Sequence, residues 1–205
     1  MYEKNYKNTF NEGLNATMFY KAENEIKVDM FFEELCLDTQ KIEKTNGRFF
    51  FFGNGASAAF SNHMALDWSK NGGVLSLSLS DSSLLTALSN DYSFNESFVE
   101  FLKINKVSSN DLVITTSSSG NSANILKVLE FCKDNGITSL TFSGLNNDNK
   151  SIKLGDFSIY TPFKTYGMVE CAHQFFHHLW LDKYMGICEW DRKDSQNMNI
   201  KNFKI

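Results

Sequence analysis

The chain has 205 residues, 42% of them hydrophobic and 21% charged, which is enough for one domain with a packed core. Its formal net charge of −4 argues against a basic surface for nucleic acid, although a small pocket for one phosphorylated metabolite is compatible with it. No segment resembles a membrane helix or a secretory signal, and the four cysteines have no CxxC spacing, so we expect reduced thiols and a cytoplasmic protein.

The first 45 residues are predicted to form one or two helices ahead of the first strand. Their apolar residues follow a loose stripe from Phe19 to Ile42. A helix outside the sheet needs something to cover its apolar face, which points to packing on a second subunit.

Short β-rich runs then alternate with segments of helical spacing. The predicted strands are 48–53, 74–80, 112–117, 139–144 and 157–162, and the predicted helices are about 57–70, 82–89, 95–104, 121–135 and 168–185. Alternation of this kind predicts an α/β fold, a parallel sheet with helices on both faces. We divide the chain into a helical segment at 1–45, a core domain at 46–190 and a polar tail at 191–205.

Two predicted strand-to-helix turns carry unusual residues, GNGAS at 53–57 and TTSSSGNSAN at 115–124. Ligands of open parallel sheets bind beyond the carboxyl ends of the strands, where such turns lie. Serine hydroxyls and free backbone N–H groups at a helix start can cradle a phosphate without lysine. The alternative is simple helix capping, but a helix has only one N-cap residue.

The histidines fall into two groups. His63 and Asp67 are four residues apart, and Glu170 and His178 are eight apart, so each pair projects from one face of a helix. Two imidazoles and two carboxylates suit Zn²⁺ or a similar divalent ion. The alternative is a satisfied surface pair on one helix and a partner contact on the other.

Several motifs occur in a specific order: GNGAS with HMALD, LLTALSNDYSFNESF at 84–98, SSSGNSANIL at 117–126, and VECAH followed by His178. In this combination the chain resembles the sugar isomerase (SIS) family, and within it the phosphoheptose isomerases. The resemblance implies a three-layer α/β/α sandwich around a five-stranded parallel sheet, and a homotetramer with active sites at subunit junctions. It also implies conversion of sedoheptulose 7-phosphate to a heptose 7-phosphate for bacterial surface glycans such as lipopolysaccharide or capsule.

The resemblance assigns roles to individual positions. The implied phosphate shell is Ser57, Ser117, Ser118, Ser119 and Ser122; the implied sugar contacts are Asn54, Asn90, Asp91 and Glu170; and the implied metal ligands are His63, Asp67, Glu170 and His178. Aldose–ketose isomerisation needs a base for a carbon-bound proton and a group that steadies the enediolate, and a metal can polarise the carbonyl. We interpret Asp67 and His178 as the acid and base, with His63 and Glu170 holding the metal or positioning the substrate.

The chain departs from the family on the sugar side of the expected site. Asp67 stands where the family usually has Glu, Glu170 where it has Gln, and KTYGMVE at 164–170 lacks the usual Arg. We therefore expect a phosphosugar enzyme whose sugar can differ from the standard heptose. The alternatives are a non-catalytic SIS protein, which binds a sugar phosphate or the replication initiator, and a phosphosugar-sensing regulator, disfavoured because no basic helix-turn-helix is present.

Overall fold

The computed structural model describes residues 1–191. In chain order the elements are α1 (Tyr2–Asn15), β1 (Met18–Lys21), β2 (Asn24–Ile26), α2 (Val28–Lys44), β3 (Phe49–Gly53), α3 (Ala56–Asp67), a π-helical turn (Trp68–Gly72), β4 (Ser76–Ser78), α4 (Ser82–Asp91), α5 (Ser97–Ile104), β5 (Leu112–Ser117), α6 (Ala123–Asp134), β6 (Thr138–Gly144), α7 (Lys150–Leu154), β7 (Phe157–Thr161), α8 (Tyr166–Met185) and a 3₁₀ turn (Glu189–Asp191).

The strands form one sheet in the order β2-β1-β7-β6-β5-β3-β4. The five strands from β3 to β7 pair in parallel, as predicted. The α/β sandwich expected from the sequence is confirmed, with the five parallel strands extended to seven by two antiparallel ones.

The run of four phenylalanines explains why both faces of the sheet need a helical layer. Successive side chains of a strand point to opposite faces. Phe49 and Phe51 accordingly join a core with α2, α3 and α8, whereas Phe50 and Phe52 join a core with α4, α5 and α6. All four are essentially inaccessible to solvent.

The N-terminal segment differs from the prediction of helices alone. Between α1 and α2, β1 and β2 form a hairpin, and β1 pairs with β7 at the sheet edge. The two-residue turn at Ala22 and Glu23 has positive φ at both positions, 45° and 68°. Such turns usually carry Asn-Gly or Asp-Gly, so the sequence held no turn signal to find.

The N-terminal segment therefore contributes to the sheet as well as to a helical layer. Helix α1 has no buried residue. The predicted tail at 191–205 lies outside the described residues except for Asp191. Within the described part of the chain, no helix has the length and apolar character that crossing a membrane requires.

Candidate active site

The two unusual turns lie side by side at the carboxyl edge of the sheet. Strands β3 and β5 are parallel neighbours, and Gly53 pairs with Thr116 where both strands end. A Cβ atom on Gly53 would lie 2.5 Å from the backbone carbon of Ser57. Only glycine at this position therefore lets α3 begin this close to the strand.

Between the turns and α8 lies a pocket of about 130 Å³. Its lining residues are Asn54, Ser57, Thr116, Ser117, Ser118, Ser119, Ser122, Tyr166 and Glu170. All five serines predicted to bind phosphate are among them, as are two of the predicted sugar contacts, Asn54 and Glu170. No lysine or arginine lines this pocket among the residues described, so hydroxyl groups are its principal donors.

Helix capping does not account for the serines. Ser122 occupies the N-cap position of α6, yet its side chain makes no capping hydrogen bond. Its Oγ lies 3.3 Å from Oγ of Ser117 instead. Among the residues described, no side chain accepts from the backbone N–H groups of Ala123 and Asn124 at the start of α6, and these two groups remain available to an anion.

Asn54 is fixed by a residue that the sequence did not single out. Its side-chain amide exchanges two hydrogen bonds with the amide of Asn124, at 3.0 and 2.9 Å. Oδ1 of Asn124 also accepts a hydrogen bond from the backbone N–H of Ile125. The pair ties the turn after β3 to the first residues of α6.

The two histidine clusters meet. Nε2 of His63 lies 3.3 Å from Oδ2 of Asp67, and the rings of His63 and His178 are 5.4 Å apart between centroids. One possible ligand atom from each of these three residues lies within 4.8 Å of the others. Two imidazoles and a carboxylate form a donor set that fits Zn²⁺ with an open coordination position.

Glu170 is not part of this triad. On α8 it lies eight residues before His178, a separation of about 12 Å along a helix axis. Glu170 instead lines the serine pocket. Within one chain, the predicted set of four metal ligands is therefore divided between two places.

Gln174 lies between Glu170 and His178 on the same face of α8, and the sequence analysis missed it. Its Nε2 is 2.7 Å from Nε2 of His178. The spacing i, i+4, i+8 was the signal that could have identified Gln174.

The pair Asn90 and Asp91 lies elsewhere. Nδ2 of Asn90 donates to Oδ1 of Asp91 at 3.0 Å, and both residues line an open surface of α4 with Ser82 and Thr86. The structure does not bring them to the serine pocket of the same chain.

The other two histidines of α8 are completely buried. Nε2 of His173 lies 3.0 Å from the carbonyl oxygen of Ser143 and donates to it. Burial lowers the pKa of His173 to about 4. Burial also holds the pKa of His177 well below its ordinary value, with further lowering from His173 and His178. Both side chains are therefore neutral at physiological pH.

Thr116 and Tyr166 are further pocket residues that the sequence analysis did not assign. Thr116 directly precedes the serine run at the end of β5, and Tyr166 begins α8 one helical turn before Glu170. Both positions follow from the turn and helix boundaries, but a residue's face on a strand or helix depends on boundaries that the sequence leaves uncertain.

Comparisons with known proteins agree with this architecture. Residues 34–144 match the SIS domain family. Phosphoheptose isomerase of Aneurinibacillus thermoaerophilus is 32% identical over 153 residues, which cover 72% of this chain and 76% of that protein. Phosphoheptose isomerase 2 of Campylobacter jejuni is 34% identical over 149 residues, 70% and 73% of the two chains.

Solved structures share the fold. Phosphoheptose isomerase of Neisseria gonorrhoeae matches with a TM-score of 0.73 at 22% identity, over 91% of this chain and all of that one. The corresponding protein of Francisella tularensis matches with a TM-score of 0.74 at 17% identity, over 88% and 95% of the two chains. The matched domain, the relatives and the ordered motifs lead to one conclusion: the chain belongs to the SIS family, among the phosphoheptose isomerases.

Proposed function

We propose that this chain is a ketose–aldose isomerase of a sugar phosphate, acting on sedoheptulose 7-phosphate or a close variant and forming the heptose 7-phosphate. One observation carries the proposal: serines from two separate turns converge on one pocket that Glu170 also lines. A capping or packing role does not require such convergence.

The serine pocket is proposed to bind the phosphate ester. Ser57 lies in the first turn of α3, and Ser122 precedes the first turn of α6. Both helix N-termini direct their positive dipole ends toward the pocket, and in α6 the backbone N–H groups of Ala123 and Asn124 are available to an anion. Hydroxyl donors and helix ends together replace the lysine or arginine of other phosphate sites.

Isomerisation then requires proton transfers at neighbouring carbons. A base removes a proton from C1 of the ketose, the resulting enediol is stabilised at its oxygens, and a proton is delivered to C2 to give the aldose. We assign Asp67 and His178 to these proton transfers. Gln174 positions the ring of His178 through its amide contact.

As an alternative role for the same groups, we propose that His63, Asp67 and His178 hold a divalent metal, because a lone pair bound to an ion cannot also accept a proton. Zn²⁺ is the candidate that their N and O donors fit. When bound, such an ion polarises a substrate carbonyl as a Lewis acid. The identity of the ion follows from ligand chemistry alone in this proposal.

An assembly of several copies could bring together site residues that lie far apart within one chain. Because Glu170 and His178 are about 12 Å apart along α8, Glu170 could join the triad only of another copy. Asn90 and Asp91, exposed on α4, would likewise reach a neighbouring pocket. The unburied helix α1 and an apolar groove of about 980 Å³ near Phe175 and Trp190 offer surfaces for that contact.

Two residues on the sugar side differ from those usual in the family, which is compatible with a variant substrate. The Asp67 side chain is one methylene shorter than the usual Glu, and Glu170 adds a negative charge where the family usually has Gln. Displacement of a reacting group by about 1 Å can cost on the order of 100-fold in rate. The proposed enzyme would act in the cytoplasm, in the synthesis of surface-glycan heptoses. Its four free cysteines fit a reducing compartment.

The decisive experiment is incubation with sedoheptulose 7-phosphate and a panel of other ketose phosphates, with and without chelator, followed by product identification. Conversion to the aldose phosphate is the expected result, and loss with chelator and recovery with Zn²⁺ would support the metal. If no ketose phosphate is converted although inorganic phosphate binds, the chain is a sugar-phosphate-binding protein and the isomerase proposal is wrong.

A further inference from the structure

His177 is buried next to the serine pocket, and the proposed reaction makes no use of it. Its Nε2 lies 3.0 Å from Oγ1 of Thr116, which lines the pocket. The imidazole is inaccessible to solvent and stacks on Phe142, with ring centroids 3.8 Å apart. Thr116 therefore lies between a fixed ring and the pocket.

The other ring nitrogen determines the direction of this hydrogen bond. Nδ1 of His177 is buried and has no hydrogen-bond partner among the residues described. If Nδ1 carried the proton, a buried N–H donor would be unsatisfied, which proteins avoid more strictly than an unsatisfied acceptor. The favoured tautomer carries the proton on Nε2, and a doubly protonated ring would also donate from Nε2.

The direction of this hydrogen bond determines what the Thr116 hydroxyl can do with its own proton. A hydroxyl group has one proton to donate and can accept through its oxygen. If Oγ1 of Thr116 accepts from His177, its own proton remains to be donated. Oγ1 has no other partner among residues 1–191, and the adjacent pocket is where an acceptor can lie.

We propose that His177 is a positioning residue: it donates to Thr116 and thereby directs the threonine hydroxyl proton to the phosphate bound in the serine pocket. The inference rests on the proposed phosphate site and adds to it one donor and the group that orients it. In a pocket without lysine or arginine, each oriented hydroxyl contributes a large share of the binding.

Three variants test the relay. His177→Leu removes the donor and keeps an apolar side chain, His177→Gln retains an amide N–H in place of Nε2–H, and Thr116→Val removes the hydroxyl at nearly constant volume. The affinity for inorganic phosphate is measured by isothermal titration calorimetry, and KM and kcat are measured with the substrate that is turned over.

We expect His177→Leu and Thr116→Val each to weaken phosphate binding about tenfold, which corresponds to about 1.4 kcal/mol. KM should rise with little change in kcat, because the phosphate lies away from the reacting carbons. His177→Gln should bind phosphate within about threefold of the wild type. In the Thr116→Val background, His177→Leu should have no further effect, since the two residues act through one hydroxyl.

A purely structural role would give a different pattern. His177→Leu would then weaken binding equally with and without the Thr116 hydroxyl, or it would leave phosphate binding unchanged in a folded protein; either result overturns the inference. ¹⁵N NMR of histidine-labelled protein reports the tautomer of His177 independently. A His177 ring protonated only at Nδ1 would also overturn the inference.

The outcome for the phosphate site itself is separable. If the wild type binds phosphate and Ser117→Ala weakens that binding while the His177 variants do not, the relay is wrong and the proposed function stands. If the wild type binds no phosphate but converts a ketose phosphate, the relay and the serine phosphate site are wrong and the isomerase proposal stands. If it does neither, both proposals are wrong.

Discussion

Asn54 and Asn124 join the two turns of the active-site edge by a reciprocal pair of amide hydrogen bonds, 3.0 and 2.9 Å long. Each amide supplies one donor and one acceptor to the other. The geometry of the pocket therefore depends on two side chains that come from different strand-to-helix turns.

Replacement Asn124→Asp should disturb this link, because a carboxylate cannot donate to Oδ1 of Asn54. We expect a loss of about 1–3 kcal/mol in the free energy of unfolding and a higher KM. Chemical denaturation and steady-state kinetics measure the two effects. Asn24→Asp in the exposed hairpin is the control and should leave KM unchanged; an unchanged KM in Asn124→Asp would show that the link does not shape the pocket.

The serine at the start of α6 can be tested against a true helix cap. Ser122→Ala should raise KM and the dissociation constant for phosphate while leaving the melting temperature nearly unchanged, because Ser122 makes no capping hydrogen bond. Asp81→Ala should lower the melting temperature and leave KM and the dissociation constant for phosphate nearly unchanged. Oδ1 of Asp81 accepts from the backbone N–H of Leu84 at 2.7 Å, and losing such a cap costs about 1 kcal/mol.

Asp67 and His178 carry the proposed proton transfers. Asp67→Asn and His178→Ala should each lower kcat by at least about 100-fold without unfolding the protein, as circular dichroism would verify. Metal analysis of the same variants should show a loss of bound divalent ion if the triad holds one. Full activity in either variant would remove that residue from the mechanism.

Division of the site between copies predicts complementation. Glu170→Ala and His178→Ala should each be inactive alone, but subunits exchanged between the two variants should form some sites that contain both wild-type residues. Activity in the mixture, measured after partial denaturation and refolding together, is the expected result. A mixture as inactive as its components would indicate that each site uses residues of one chain only.

Burial of His173 predicts a specific loss of stability in acid. The pKa of His173 lies at about 4 in the folded chain, below the ordinary value of 6.5. The unfolded chain therefore binds a proton that the folded chain does not, and the free energy of unfolding falls as the pH drops from 6.5 toward 4, by up to about 3 kcal/mol.

His173→Gln keeps a donor for the carbonyl of Ser143 and removes the titrating group. Denaturation at a series of pH values should show a smaller slope for this variant between pH 6.5 and 4. An unchanged slope would mean that other groups determine the acid sensitivity.

Regular periodicity made much of the fold predictable. The runs at 48–53 and 112–117 became central parallel strands because their residues are largely apolar or β-branched on both faces, as two covering layers demand, whereas the alternating run at 74–80 became the half-buried edge strand β4. The hairpin at 18–26 was missed because Ala22 and Glu23 adopt positive φ without the residues that usually mark such a turn.

The active site was likewise only partly predictable from the sequence. Serines that follow parallel strands in sequence must gather at one edge of the sheet, so the serine pocket was accessible to sequence reasoning. Gln174, Asn124 and the buried histidines were not, because their roles depend on which face of a helix meets which neighbour.

The sequence by itself determined the alternation of strands and helices, the family and the chemistry of the residues at the edge of the sheet. These properties follow from local spacing and residue type. Only the tertiary structure decided that His63 and Asp67 meet His178 and that Glu170 lies in the serine pocket. Helix geometry fixes the separation of Glu170 and His178 along α8. Which residues lie next to each of them depends on how α8 packs against the rest of the chain.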